Sequence, residues 1–451
     1  MNTDILNLLF DADTFVQTNA YVSAPLYEQN TNSERFIGDG VLTGYGSVSG
    51  RAVFAAIQDE SVLKGSIGSA HARKISECID MAVKVGAPFV FIIDSAGARL
   101  KEGIAALGGY GRIMKSFSAA IGAVPTIAFI NGQCSGAASI IASMADFTVM
   151  PDKGAVFSVT GSDAAGDKAG SADSVSASGV LSCRGKDIQE CANAVKELID
   201  YLPDNALCGA PEIEAEEDIS SRIDTNGFGT FDEYDVRSLI SRLADGGKWT
   251  ELYSGFAESA VCGIMRIGGK TACLLANQPS VQNGVIDSDA CSKFSGMLAF
   301  CDKFNIPVIT LTNTCGLAAS LSEENKGLSA SAALLVSSFA NSSVPKINVI
   351  TGKAYGSAYL IMNGKNTGAD IVYAWKDADI SVITPEAGAL ILYDDEIKAS
   401  DDPISARKDA ILKYRSEYST PVYAASEGLV DDIIMPSETR ARIISALYLL
   451  S

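Results

Sequence analysis

Four blocks of the chain recur once, at nearly one spacing. Gly50-Arg51 with Ala-Val-Phe-Ala-Ala-Ile-Gln58 returns as Gly269-Lys270 with Thr-Ala-Cys-Leu-Leu-Ala-Asn-Gln278. Gly86-Ala-Pro88, ahead of an apolar run to Asp94, returns as Asn305-Ile-Pro307 ahead of a run to Asn313. Val124-Pro125 and its run to Gly132 return as Val344-Pro345 and a run to Gly352, and Gln133-Cys-Ser-Gly136-Ala-Ala138 as Lys353-Ala-Tyr-Gly356-Ser-Ala358. The spacing is 219 residues from 88 to 307, and 220 from 132 to 352 and from 136 to 356. So long a period excludes a solenoid, and unrelated folds would not keep it. The 451 residues are predicted to be two copies of one fold, 1–213 and 214–451.

Each copy alternates two periodicities. Short, mostly apolar runs at 89–93, 126–130, 308–311 and 347–350 suit strands buried on both faces. Stretches 70–84, 110–120, 290–303 and 329–340 read as helices between them. Strands joined by helices pair in parallel through right-handed crossovers, an α/β architecture. Residues 203–227, with Glu214-Ala-Glu-Glu-Asp218, read as an exposed linker. Residues 161–185, crowded with Gly, Ala, Ser and Asp, read as a long surface loop or lid.

Composition removes whole classes of function. A net charge of −19 repels phosphate backbones, so nucleic acid is excluded as a partner. The ten cysteines include no Cys-x-x-Cys pair and there is one histidine, His71. That leaves no zinc-type ligand set, so no metal is expected, and no base for a serine or cysteine triad other than His71. No run approaches the ~20 apolar residues of a spanning helix, and 1–20 lacks a basic, apolar leader. The thiols are expected to be reduced and buried, and the protein cytoplasmic.

The candidate sites sit where strands end. Gly136-Ala137-Ala138 and Gly356-Ser357-Ala358 open helices after buried strands, where unobstructed backbone N–H groups can hold a developing oxyanion. Close strand–helix packing also selects small residues, but the duplication favours paired oxyanion holes. The loops Asp94-Ser-Ala-Gly-Ala-Arg99 and Asn313-Thr-Cys-Gly316 also follow strands, and N–H groups at Gly97, Ala98 and Gly316 are expected to complete each hole. Arg99 either pairs with a phosphate or is a surface arginine beside Glu102. Lys64-Gly65-Ser66, ahead of the helix with His71 and Lys74, suits cofactor phosphates or is a plain turn with solvated lysines. His71 reads as a packed or capping histidine rather than a base. Among Asp94, Glu102, Asp146 and Glu386 no pair is shown to meet, so no general base is assigned; Asp431-Asp432 reads as solvated or capping.

Together these blocks are specific. With Gly40-Val-Leu-Thr-Gly-Tyr-Gly46, Lys64–His71, Asp94–Gly103, Cys301–Pro307, Tyr373-Ala-Trp375 and Gly428-Leu-Val-Asp-Asp432, the chain from about Arg35 to Ile443 resembles the carboxyltransferase subunits of biotin-dependent acyl-CoA carboxylases and sodium-pump acyl-CoA decarboxylases, in the crotonase superfamily. The resemblance implies two tandem crotonase-like domains, the first binding acyl-CoA and the second, from a neighbouring subunit, binding biotin. Gly136 and Ala137 would face the thioester enolate oxygen, Ser357 and Ala358 the biotin ureido oxygen, and Leu360 a short acyl chain. It further implies a coenzyme A thioester substrate, biotin on a separate carrier protein, a biotin carboxylase or membrane decarboxylase partner, and a homo-oligomer, a dimer or trimer of dimers. Association with a membrane would come only through those partners.

Several positions depart from the family pattern. Ala96-Gly97 replaces Gly-Gly, Ser357 interrupts Gly-Gly-Ala, Cys315-Gly-Leu-Ala-Ala-Ser320 replaces a Pro-Gly-rich segment, Ile383-Thr-Pro385 replaces Met-Gly, and 161–185 lacks a Thr-His pair. The chain has no Ala-Met-Lys-Met biotinylation motif, no carboxylase-type ATP loop and no zinc ribbon. A catalytically weakened scaffold subunit and a biotin-independent crotonase-type enzyme using Glu102 or Asp94 are the alternative readings.

Overall fold

The computed structural model describes residues 3–23, 37–160, 165–166, 168–215 and 218–450. Arg35, where the family resemblance begins, lies outside them, as do Glu216 and Glu217 of the linker and 161–164 and 167 of the expected lid. The chain forms two units. One holds Met1–Pro211 with Tyr253–Phe256, the other Glu212–Leu252 with Ala257–Ser451. The division falls two residues before 213, and the return of Tyr253–Phe256 to the first unit has no signal in the repeat.

The first unit has the strands β1 (Val16–Thr18), β2 (Val41–Val48), β3 (Arg51–Gln58), β4 (Phe89–Ser95), β5 (Thr126–Ser135), β6 (Phe147–Pro151), β7 (Val156–Ser158) and β8 (Cys183–Gly185). They form one sheet in the order β1-β2-β3-β4-β5-β6-β8, with β7 beside the far end of β5. Strands β1 to β3 are antiparallel and the pairings from β3 onward are parallel. The crossovers are helical: α1 (Thr3–Leu9) precedes the sheet, α2 (Ser69–Val85) joins β3 to β4, α3 (Ile104–Ala120) joins β4 to β5, and α4 (Ala137–Ser143) leads from β5 to β6. Strand β4 is buried throughout, as expected of a parallel strand covered on both faces. Phe89, Phe91 and Phe117 pack edge to face and tilted in the core between α3 and the sheet. The expected lid instead carries α5 (Ala172–Ala177), capped by Ser171, and β8; α6 (Ile188–Tyr201) follows, capped by Asp187.

The second unit repeats this plan after α7 (Val236–Leu243). Its strands are β9 (Trp249–Leu252), β10 (Ala260–Ile267), β11 (Lys270–Asn277), β12 (Val308–Thr314), β13 (Lys346–Tyr355), β14 (Ile371–Trp375), β15 (Asp379–Ser381) and β16 (Asp432–Ile434). They run in the order β16-β14-β13-β12-β11-β10-β9, with β15 beside β13. The helices are α8 (Ser288–Phe304), α9 (Leu321–Lys326), α10 (Leu328–Asn341) and α11 (Ser357–Ile361), then α12 (Pro385–Leu392), α13 (Asp394–Ala399), α14 (Pro403–Tyr418), α15 (Pro421–Ser426) and α16 (Thr439–Leu450). Helices α12 to α14 interrupt the repeat between β15 and the last strand. The Ile383-Thr-Pro385 departure starts the insertion, since Thr384 caps α12 and Pro385 opens it. Most cysteines are buried free thiols as expected, but Cys208 is exposed and Cys315 half-buried.

Both sheets break register at the same place. The β4·β5 ladder runs to Ile93↔Ile130 and resumes at Ser95↔Cys134; β12·β13 runs to Thr312↔Ile350 and resumes at Thr314↔Ala354. The extra residues bulge the longer strand and bend it. Its end then pairs with a short strand, Gln133–Ser135 with β7 and Lys353–Tyr355 with β15.

Candidate active site: a backbone cradle in each unit

Beyond Ser95 the first unit turns through Ala96-Gly97-Ala98, tied to the Lys64–Ile67 segment. Ala96 N–H donates to Lys64 O at 2.9 Å, Ile67 N–H to Gly97 O at 2.9 Å and Arg99 N–H to Ile67 O at 2.9 Å. Beyond Ser135, Gly136 has φ 62° and ψ −131°, a conformation open to glycine alone, and leads into α4. The turns at Gly97 and Gly136 follow the ends of adjacent parallel strands, where α/β sheets place their ligands. A Cβ built on Gly97 or Gly136 meets nothing within 4 Å, so a ligand carbonyl can approach the main chain there.

Of the four N–H groups expected in this cradle, two are already engaged. Gly97 N–H already donates to Ser95 Oγ at 3.2 Å, and Gly136 N–H to Ser158 O on β7 at 3.1 Å. These bonds fix the two turns. No acceptor for the N–H of Ala98 or Ala137 is found among the described residues, so these are the pair left to meet an oxygen.

The second unit repeats the arrangement. Gly316 (φ 140°) gives its N–H to Thr314 Oγ1 at 3.2 Å, and Gly356 (φ 58°, ψ −141°) gives its own to Ser381 O on β15 at 2.9 Å. The next N–H groups belong to Leu317 and to Ser357 and Ala358. Leu317 was missed in sequence, although it lies 219 residues after Ala98, and Ile67↔Ala98 and Ile286↔Leu317 form matching bridges. Leu360 is exposed on α11.

The side chains around the first cradle are structural. Arg99 is neither a surface residue nor open to a phosphate: it is 4% exposed, with its guanidinium 2.7 Å from Asp39 Oδ1 and 3.2 Å from Glu102 Oε1, and it donates to Ser66 O at 2.9 Å. A buried carboxylate pair satisfies the cation that water would otherwise hold. Glu102 also accepts from Ser69 N–H at 2.7 Å, closing the start of α2. Lys74 is not solvated either; it is buried, donating to Gly38 O at 2.8 Å and to Val41 O, and burial lowers its pKa to about 8. Lys293 makes the equivalent bond to Ala260 O at 2.7 Å. Lys64 is exposed in a left-handed turn (φ 52°), and Gly65 packs so tightly that a Cβ would lie 2.0 Å from Asp94 O.

His71 is fully buried. Its Nδ1 donates to Asp39 O at 2.8 Å, which leaves Nε2 to accept from Gln58 Nε2 at 3.0 Å and turns Gln58 Oε1 toward Asp94 N–H at 3.1 Å. Burial holds the ring neutral, with a pKa of about 3. Asp94 accepts from Gln133 N–H at 3.0 Å, and burial raises its pKa. Asp146 accepts from Thr126 N–H at 2.9 Å and from its hydroxyl at 2.8 Å; Asp431 accepts from Val372 N–H at 2.7 Å; Glu386 lies 3.8 Å from Arg415. Each of these carboxylates has a structural partner. Among the described residues no group of His, Cys, Asp and Glu is arranged to hold a metal ion, and no helix is long and apolar enough to cross a membrane.

Residues 2–451 match the carboxyl transferase domain family. The chain belongs to that family. This carboxyltransferase is 36% identical over 454 residues to the methylmalonyl-CoA carboxyltransferase 12S subunit of Propionibacterium freudenreichii subsp. shermanii, covering 98% of this chain and 87% of the relative. It is 34% identical over 459 residues to the methylmalonyl-CoA decarboxylase subunit alpha of Propionigenium modestum, covering 99% and 89%. The solved transcarboxylase 12S structure, described as a hexamer assembly with methylmalonyl-coenzyme A and methylmalonic acid bound, superposes with a TM-score of 0.93 at 35% identity, covering 99% of this chain and 88% of that one. The carboxyltransferase therefore has the tandem crotonase-like fold and is an enzyme.

Proposed function

We propose that this chain is the carboxyltransferase subunit of a biotin-dependent assembly, moving a carboxyl group between carboxybiotin and a short-chain acyl-CoA of the propionyl/methylmalonyl type. The observation that carries the reading is the duplicated backbone cradle, Ala98 with Ala137 and Leu317 with Ser357 and Ala358, beside glycines whose missing side chains leave room for a ligand. Carboxybiotin, delivered on a separate carrier chain, supplies CO2 and a nitrogen able to take the acyl α-proton.

The chain's own residues do electrostatic work. The Ala98 and Ala137 N–H groups hold the thioester oxygen and stabilise the negative charge that grows on it as the α-carbon becomes an enolate. Each such donor contributes ~2.7–4 kcal/mol in the transition state. Leu317, Ser357 and Ala358 hold the ureido oxygen, Leu360 meets the acyl chain, and the exposed Lys64 reaches the coenzyme phosphates. The near absence of histidine fits a reaction in which the chain holds charge rather than shuttling protons. A carrier protein and a biotin carboxylase or membrane decarboxylase subunit complete the assembly, and cradles drawn from neighbouring subunits require at least a dimer in the cytoplasm.

Decarboxylation of malonyl-CoA and methylmalonyl-CoA by the purified chain, with and without free biotin, tests the reading. CO2 release stimulated by biotin is expected, fastest with methylmalonyl-CoA. Turnover indifferent to biotin and avidin would assign a crotonase-type enzyme, and CoA binding without turnover a scaffold subunit.

A further inference from the structure

The two cradles are braced differently. In each unit the N–H of the turning glycine is taken up by a three-residue strand lying beside the long central strand. In the first, Gly136 donates to Ser158 O of β7; in the second, Gly356 donates to Ser381 O of β15. A strand this short has little pairing of its own, so its outer edge decides how firmly it sits. On β7, among the described residues, that edge is one main-chain bond, Phe157 N–H to Gly170 O at 2.9 Å, and the residue paired with Gln133 is the apolar Val156.

On β15 the matching main-chain bond, Ile380 N–H to Ser419 O at 2.9 Å, comes from the end of α14. The residue paired with Lys353, in place of Val156, is Asp379. Its carboxylate is 2% exposed, and Arg415 of α14 donates to it through Nε at 3.1 Å. Arg415 is itself held: its guanidinium lies 4.7 Å over the Phe231 ring and 3.8 Å from Glu386. The insertion that interrupts the repeat thus ends on an ion pair directly beneath the second cradle.

We propose that Arg415 is a positioning residue for the second cradle, acting through Asp379 to fix β15 and, through Ser381 O, the Gly356 turn that aims the Ser357 and Ala358 N–H groups. Without the guanidinium, the buried carboxyl keeps only the Tyr355 and Ser419 hydroxyls beside it, and a charge stripped of its ionic partner inside the protein is strongly disfavoured. Moving Asp379 moves Ser381 two residues on. In the first unit Val156 stands in the place of Asp379, and among the described residues no ion pair holds β7, so the effect is one-sided. The kinetic half of this inference rests on the biotin-side assignment above; the structural half does not.

The test uses the full chain carrying Arg415→Met, alongside Asp379→Ala, which removes the acceptor and the buried charge together and so remains informative if the first variant does not fold. Hydrogen exchange followed by mass spectrometry should show faster exchange at 353–358 and 379–381, with 133–138 unchanged. In methylmalonyl-CoA decarboxylation, kcat/KM for free biotin should fall roughly 10- to 100-fold while KM for the thioester stays put, as small displacements of positioned groups produce. Arg415→Lys should recover part of both. Wild-type exchange at 353–358 in Asp379→Ala, or equal loosening at 133–138, overturns the proposal. If the wild-type chain itself shows no biotin-dependent turnover, the functional reading fails and the exchange data alone decide the positioning role.

Discussion

Asn313 occupies in the second unit the place that Asp94 holds in the first, and the two side chains make the same bond. Asp94 Oδ1 accepts from Gln133 N–H at 3.0 Å, and Asn313 Oδ1 accepts from Lys353 N–H at 3.0 Å. The backbone N–H groups of both residues donate to side-chain amides, Gln58 Oε1 at 3.1 Å and Asn277 Oδ1 at 3.2 Å. A neutral amide therefore does in one half what a carboxylate does in the other. The shared task is to hold the bulged strand against its neighbour at the foot of the cradle.

Asp94→Asn should accordingly leave kcat and its pH profile at wild-type level, since the amide oxygen can take over the bond to Gln133. Asp94→Ala strips that N–H of its acceptor and should lower stability by about 1–3 kcal/mol. A collapse of kcat in Asp94→Asn with an intact fold would make Asp94 an acid or base after all.

Gly136→Ala is expected to reduce biotin-stimulated decarboxylation by about 10²- to 10³-fold, the effect of misplacing one oxyanion donor. The added methyl has room, but φ 62° with ψ −131° is strained for alanine by about 1–3 kcal/mol, so the turn and the Ala137 N–H rotate. Steady-state rates with a melting curve check this; a wild-type rate would displace the first cradle.

Arg99→Met should destabilise the first unit by about 3–5 kcal/mol in urea unfolding, because Asp39 and Glu102 then lose their common cation in a buried setting. Arg99→Lys, if folded, should bind coenzyme A with unchanged Kd by calorimetry. Weaker coenzyme binding in a fully folded Arg99→Lys would return Arg99 to the phosphate site.

His71 sets a pH dependence of known sign. Its folded pKa, about 3, lies below the ordinary 6.5, so between those values the unfolded chain binds a proton that the folded chain refuses. Stability should fall as pH drops through that window, by up to ~1.4 kcal/mol per pH unit from this residue. Urea midpoints from pH 7 to 5 should decline more steeply for wild type than for His71→Gln. Parallel lines would mean that the ring protonates in the folded state.

What the sequence made legible was the repeated framework. Residues 89–93, 126–130, 308–311 and 347–350 are strands because apolar runs bounded by Gly, Pro and Asn have little else to become, and the four helices read between and beside them are present. Ala98, Ala137, Ser357 and Ala358 were legible as donors, but the engagement of the Gly136 N–H was not, because an N–H direction depends on φ and ψ and the strand that absorbs it is only three residues long. Arg99 and Lys74 looked solvated because Asp39, Gly38 and Val41 lie more than 30 residues away in the chain. Helices α12 to α14 have no counterpart in the first half, so no periodicity announced them.

Because the open groups of both cradles are peptide N–H bonds, the side chains beside them are free to drift. Ser357 and Ala96 each keep their own N–H whatever side chain they bear, so neither removes a donor. A search keyed to reactive side chains would pass over such a site.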